Sequence, residues 1–405
     1  MKTVQMASSG MRAGVVFSAL ALSGLFANAA SPDALADDKP AGAPLTAESG
    51  AAEKPIEERS EPAPLPGWES QFVAPATQLA TGLRFAEGPL VLRDASGTHA
   101  ALLVCDLGGS SLHTVAPLPP AEPPLDKPLP SIKWLDQSQA AAGAALDAQG
   151  HLLLARFAGD IARSDAPLDW SEGAAPPVMR PIVESAQPIA TGEQASESVK
   201  LGRCNDLVVL PWGDVLFTDF GSRDKAKPSK GLFVAKVTSE DAGDALAASA
   251  TGFVAQCIDS DYKAANGLAF DAVRGVLYVA DYGAAQVIAY DLSDADRTPS
   301  NRRVFANFAD VRQSHKLQGM VDGMKVDDAT GNLLTTGPGG VWVLSSAGQR
   351  LALLPLEGAS NLAIGGGVTA EGKVGVRDVF ITAGTGVWRA QLKALADVDP
   401  ASQTR

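Results

Sequence analysis

Six short apolar runs recur along this chain, and their repetition restricts the fold more than any other feature. They are "LLVCD" (Leu102–Asp106), "LLLAR" (Leu152–Arg156), "VLFTD" (Val215–Asp219), "VLYVAD" (Val276–Asp281), "LLTTG" (Leu333–Gly337) and "VFITAG" (Val379–Gly384), spaced about 45 to 65 residues apart. Each ends in or beside a small or charged residue. Most follow a strand-turn-strand segment with glycine in or beside the turn, such as "NGLAFDAVRG" or "DGMKVDDATGN". Several are followed by a third apolar segment, such as "GLFVAKV" or "GVWVLS". A period near 50 residues built from antiparallel strands is the signature of propeller blades. The reading is therefore all-β, a six-bladed β-propeller. Each blade exposes an apolar face that a neighbour must cover. The first segment, "FVAPATQLATGL", can pair with the last blade and close the ring. Two separate β-sandwiches are the structural alternative, but the repeat is longer than sandwich strand spacing.

Not all 405 residues belong to that repeat. Residues 1–29 have the pattern of a secretory signal: Lys2 and Arg12, the apolar run Ala13–Phe26, and the small-x-small site Ala27-Asn28-Ala29. Export to the periplasm or medium is expected, with no membrane attachment after cleavage. Residues 30–66 are rich in Ala, Pro and acid, lack aromatic residues, and read as a disordered linker. The propeller is expected over 67–395, with a C-terminal tail at 396–405. Of the formal net charge of −13, the signal carries +2 and the linker −5, which leaves −10 for the rest. That balance argues against a nucleic-acid partner. Cys105, Cys204 and Cys257 are too few for a disulfide framework and read as structural thiols.

Chemistry enters where the blades begin. Blades three, four and five open on Asn205-Asp206, Asn266-Gly267 and Asp322-Gly323, and blade one on Glu87-Gly88. Blade two has Gly143-Ala144 in that region, and blade six has Ser360-Asn361 at a longer offset. Equivalent positions on innermost strands face one another across a propeller's channel. Glu87, Asn205, Asn266 and Asp322 would meet there as a hard oxygen site of charge −2. Such a set suits one divalent cation, Ca²⁺ first, with Mg²⁺ or Mn²⁺ as alternatives. With only four His and no Cys/His cluster, Zn²⁺ is a poorer match. Taken singly, Asn-Gly and Asp-Gly are ordinary turn formers; it is their shared repeat position that points to a site. Asp322 could both hold the ion and take a proton from water. No G-x-S-x-G elbow is present, so metal-assisted hydrolysis is preferred to covalent catalysis. Strand alternation puts Lys325 on the opposite face from an inward Met324, outside the site. Gly323 reads as room beside a bound ion or substrate.

The segments "FAEGP", "RCNDLVV", "FTDFG", "ANGLAFD", "LYVADY", "DGMKVDDATGNLLTTGPGGVWV" and "VFITAGTGVWR" resemble the gluconolactonase / senescence marker protein / luciferin-regenerating-enzyme family, from about Gly82 to Leu392. The resemblance implies a six-bladed propeller with one catalytic divalent metal and hydrolysis of sugar lactones. It assigns Glu87, Asn266 and Asp322 as metal ligands, Asp322 also as acid/base, Asn205 as a site-lining or fourth ligand, and Arg203 as a substrate contact. The expected substrate is a small-molecule lactone such as glucono-1,5-lactone. The loops depart from the family pattern: Leu90-Val91-Leu92 follows "EGP", and Phe157-Ala158-Gly159 replaces a common "HG". A lactone, ester or phosphotriester hydrolase for an aromatic substrate is one alternative, with Phe157 and Phe220 at the mouth. A non-catalytic binding scaffold with a structural metal is another.

Overall fold

The computed structural model describes residues 62–93, 99–118, 125–170, 174–189, 197–222, 229–236, 253–365 and 375–397. The signal at 1–29, most of the linker, part of the Pro-rich 116–130 stretch and most of the tail lie outside the described residues. Among the described residues the protein is all-β and propeller-like, with one six-residue helix, Ala309–Ser314.

The strands form six antiparallel meanders. The first runs Ala86–Arg93, His99–Asp106, Ser111–Val115, Ile132–Asp136, and the second Ala141–Leu146, His151–Arg156, Asp160–Pro167, Met179–Gln187. The third runs Cys204–Val209, Val215–Asp219, Gly231–Ala235, Phe253–Asp259, and the fourth Ala265–Asp271, Val276–Asp281, Gln286–Asp291, Ser300–Asn307. The fifth runs Met324–Asp327, Asn332–Gly337, Gly340–Leu344, Arg350–Pro355. The sixth has three strands, Ala359–Gly365, Arg377–Ala383 and Gly386–Leu392, and takes its fourth from the start of the fold. Thr77–Thr81 pairs antiparallel with Gly386–Leu392, Thr77 opposite Arg389 and Thr81 opposite Gly386. The expected pairing of first segment with last meander is thus observed.

Hydrogen bonding divides these strands into five sheets rather than six. The outer strands of the second and third meanders pair in parallel, Ala186 opposite Ala255, and fuse the two, with the short strand Val199–Lys200 added, into one nine-stranded sheet. Leu129–Pro130, the end of the Pro-rich stretch, adds in parallel to Thr77–Thr81. Despite the fusion, the six first strands follow one another in a closed cycle. Ala86–Arg93 touches Ala141–Leu146, and contact passes on through Cys204–Val209, Ala265–Asp271, Met324–Asp327 and Ala359–Gly365 back to Ala86–Arg93. Two sandwiches would not close in this way.

Six apolar clusters fill the gaps between successive meanders. Leu103, Cys105 and Leu112 meet Leu152 and Leu154 between the first and second. Leu102 and Val104, on the other face of the same strand, meet Phe380 and Val387 of the sixth. Each sheet is therefore buried on both faces, which is why its second strand reads as continuous apolar sequence rather than alternation. A fully buried Leu of this kind contributes about 2–3 kcal/mol. The three cysteines are free and buried in these layers.

Carboxylates at the ends of three of those apolar runs hold in place the start of the first strand of their own meander. Asp106 Oδ1 accepts the amides of Arg84 and Phe85, each at 3.0 Å. Asp219 accepts Gly202 at 2.6 Å, Arg203 at 2.9 Å and Gly221 at 2.7 Å. Asp281 accepts Lys263 and Ala264, both at 3.1 Å. In each case the gripped amides lie three and two residues before Glu87, Asn205 or Asn266. Asp219 is fully buried, so Asp219→Ala strands three amide donors. A loss of about 3–5 kcal/mol is expected, read as a lower urea midpoint at unchanged m.

Candidate active site and metal centre

The same grip brings three polar strand starts to one end of the ring. In the third and fourth meanders the pairs Cys204–Asp219 and Ala265–Asp281 are followed directly by an irregularity, and pairing resumes at Leu207 and Leu268; in the first, Ala86–Asp106 is followed by Glu87–Cys105, and pairing resumes after an irregularity at Leu90. Counted from the pair made with the gripping carboxylate, Glu87, Asn205 and Asn266 each stand one residue on. In the fifth meander Met324 pairs with Thr335 as Leu268 pairs with Val279, which puts Asp322 at the position of Asn266.

Contacts join most of this set. Asn266 hydrogen-bonds the Asp322 carboxylate, and Asp322 and Glu87 repel each other. Burial pushes the Glu87 carboxyl well above the usual carboxylate range, and the charge of Asp322 pushes it further. Burial raises Asp322 in the same way, followed by the charge of Asp206. Asn205 is nearly buried and is placed with the others by register. Thr218 Oγ1 accepts the Asp206 amide and donates to the Asn266 carbonyl, locking the third strand start to the fourth. Ser360 Oγ donates to the Ala86 carbonyl and does the same for the sixth and first.

Two residues absent from the sequence-derived set belong here. Asn361 hydrogen-bonds Glu87, and its own Oδ1 accepts the next amide, Leu362, at 2.8 Å. Asp206 does the same with Leu207 at 2.9 Å. The shared turn geometry puts Asn361 one position later in its repeat than Glu87 in its own. That one-residue offset is the signal that "SNL" and "CND" carry.

Two expectations change. Met324, not Lys325, faces away from the channel: it is fully buried among Tyr278, Leu333 and Trp342. Lys325 turns inward, its Nζ 3.9 Å from Asp206 Oδ2. Alternation was right about opposite faces, but the apolar side chain takes the inter-sheet layer. Gly323 is not space for a ligand, since a Cβ there would lie 2.2 Å from Asn361 Cγ. Its lack of a side chain lets the fifth and sixth strand starts touch. Arg203 Nε donates to the Gly221 carbonyl at 2.6 Å, and its guanidinium lies 4.8 Å from the Phe220 ring and 5.9 Å from that of Phe157.

Phe157, Phe220 and Tyr282 are themselves register equivalents. Each follows the second strand of its meander and donates its amide to the segment before a first strand, to Ala140, Arg203 and Ala264 respectively. Phe220 packs edge-on against Tyr282 at 5.7 Å. The phenol of Tyr282 is raised by burial and then by the charge of Asp322. A partly exposed aromatic arc, carrying Arg203, therefore borders the carboxylates.

Among the described residues, no three His, Cys, Asp or Glu side chains are gathered tightly enough to hold an ion by themselves. Glu87 supplies a buried carboxylate and Asp322 a half-buried one, and amide oxygens must supply the rest. Buried like charges that raise each other's proton affinity suit a hard cation bound through oxygen. The residues present fit a divalent ion of that kind.

The model of the SMP-30/gluconolactonase/LRE-like region matches residues 85–371. The chain belongs to this family. A gluconolactonase of Zymomonas mobilis is 31% identical over 113 residues, which is 27% of this chain and 31% of that relative. The match thus spans about a third of the relative's length. Among solved structures, a gluconolactonase from Xanthomonas campestris superimposes with a TM-score of 0.54 at 22% identity, covering 83% of this chain and 99% of its own. A calcium-binding protein, regucalcin, from Agrobacterium tumefaciens gives 0.51 at 13% identity, covering 82% and 97%. At such identities the structures speak for the fold.

Proposed function

We propose that this family member is a divalent-cation-dependent hydrolase of a small lactone, built as a six-bladed propeller with its site at one mouth of the channel. One observation carries the reading: the carboxylates of buried Glu87 and half-buried Asp322, from the first and fifth meanders, are close enough for the charge of Asp322 to raise Glu87. Asn266 and Asn361 hydrogen-bond to them. Glu87, Asn266 and Asp322 would hold the ion, with Asn205 beside them. When bound, a divalent ion there supplies Lewis acidity toward a lactone carbonyl and acidifies its water; Ca²⁺ is the first choice for all-oxygen ligands.

The chain's own groups do the remainder. Asp322 takes a proton from the attacking water as the oxygen–carbon bond forms. It returns that proton to the ring oxygen as the lactone carbon–oxygen bond breaks. The hydrogen bond from Asn266 fixes the carboxylate's orientation during both transfers. Arg203 and Asn205 line the substrate side, with the guanidinium over the Phe220 ring; a guanidinium suits hydroxyl or carboxylate groups.

The direct test is proton release from glucono-1,5-lactone by chelator-treated protein. Turnover above the spontaneous rate is expected on adding Ca²⁺ and should be lost again with chelator. No turnover in saturating Ca²⁺ would reject the reading. The arc of Phe157, Phe220 and Tyr282 favours a second one, a lactone or ester with an aromatic substituent. Under that reading the same assay would give a higher kcat/KM for an aryl lactone than for glucono-1,5-lactone.

A further inference from the structure

Lys325 spans the interior of the ring. It belongs to the fifth first strand, Met324–Asp327, yet its Nζ lies 3.9 Å from Asp206 Oδ2 on the third. The fourth first strand, Ala265–Asp271, stands between those two in the cycle. The contact therefore runs across the channel rather than along its wall.

Asp206 is held in an unusual state. Its side chain is 3% exposed. Oδ1 accepts the Leu207 amide, but Oδ2 is buried without a hydrogen-bond partner. A buried carboxylate oxygen left in this way is costly. At 3.9 Å the ammonium attracts it but is beyond hydrogen-bond reach. Nζ donates instead to the Met324 carbonyl at 3.0 Å, and the Lys325 side chain keeps 33% exposure. Gly143 of the second meander packs against the same carboxylate; a Cβ on that glycine would lie 2.7 Å from Oδ1. The charge of Asp206 also bears on both Glu87 and Asp322. Three carboxylates thus share one mouth. Among the described residues their one ion pair is with Lys325.

We propose that Lys325 is a resident counter-cation that sets how tightly the mouth holds a divalent ion. The inference rests on the divalent-ion reading above. Lys325 is a positioning residue: it acts through Asp206, and its charge offsets part of the field that draws the ion in. A unit charge within several ångströms of a partly buried site changes cation binding strongly. Removing it should tighten binding, and removing Asp206's charge should weaken it.

The experiment is calorimetric titration of CaCl₂ into chelator-treated wild type, Lys325→Met, Lys325→Arg and Asp206→Asn. Lys325→Met is expected to bind Ca²⁺ at least about 10-fold more tightly, which is about 1.4 kcal/mol. Lys325→Arg, which keeps the charge, should stay near wild type, and Asp206→Asn should bind at least about 10-fold more weakly. A lysine that merely tied two strands together would give the opposite for Lys325→Met: a lower urea midpoint with unchanged or weaker binding. If Lys325→Met does not fold, Lys325→Gln carries the same expectation. Binding by wild type with a Kd unmoved or weakened in the neutral variant overturns this inference alone. Binding seen only in the neutral variant upholds it. No binding by either protein overturns both this inference and the ion site.

Discussion

Asp322→Asn is expected to lower kcat for lactone hydrolysis by about 10³-fold or more, with the fold retained. The amide keeps the size of the side chain and the hydrogen-bonding potential toward Asn266 but cannot accept water's proton. It also removes one of the two carboxylates whose mutual repulsion is the site's electrostatic signature. Folding should tolerate the change, because that repulsion and the burial of the charge oppose folding in the absence of an ion. The ion-free variant should therefore melt at or above the temperature of ion-free wild type, while the rise given by Ca²⁺ shrinks. Circular dichroism and a pH-stat assay suffice for both. Undiminished turnover would remove Asp322 from the mechanism. A collapse of the fold would show that it is structural.

Gly267→Ala is expected to be among the most destabilising single-methyl additions in the molecule, at about 3 kcal/mol or more. Its Cβ would lie 2.3 Å from the Asp322 carbonyl oxygen and 2.6 Å from Gly323 Cα. Both are backbone atoms of the next meander, so no side chain can swing aside. The fourth and fifth meanders would have to part at the point where Asp322 is held. Gly384 provides the control: φ is +54° and nothing lies within 4 Å of its built Cβ. Gly384→Ala should lose only the left-handed backbone preference, about 1 kcal/mol. Comparing urea midpoints separates the two effects. The same interlocking recurs at Gly88, where a Cβ would lie 2.2 Å from the Ala142 carbonyl oxygen, and at Gly143 and Gly323. These glycines let the meanders come close enough for side chains on different strands to share one site.

The repeat was legible because each second strand is buried on both faces and stays apolar throughout, as in Leu102–Cys105 and Leu277–Ala280. The polar positions were legible because Asn205, Asn266 and Asp322 each stand about ten residues before such a run, while Glu87 opens the first meander at a longer distance from its own. Three things were not. Strand alternation says that Met324 and Lys325 face opposite ways but not which way is inward; packing on Trp342 decides that. Asp206 reads as the neighbour of Asn205, and its tie to Lys325 joins positions more than a hundred residues apart with no local pattern. The parallel pairing that fuses the second and third meanders involves outer strands with mixed polar and apolar sequence, Met179–Gln187 and Phe253–Asp259. Such strands carry little register information. Asn361 lay within reach, but only once Ser360, rather than Asn361, is aligned with Glu87.

One ion is expected to bind where the first, fourth and fifth meanders meet, and an anomalous difference map from a crystal soaked in Mn²⁺ reads this out. A single strong peak bounded by oxygens of Glu87, Asn266 and Asp322 is expected. A peak bound elsewhere, or none at saturating Mn²⁺ with these side chains ordered, would contradict it.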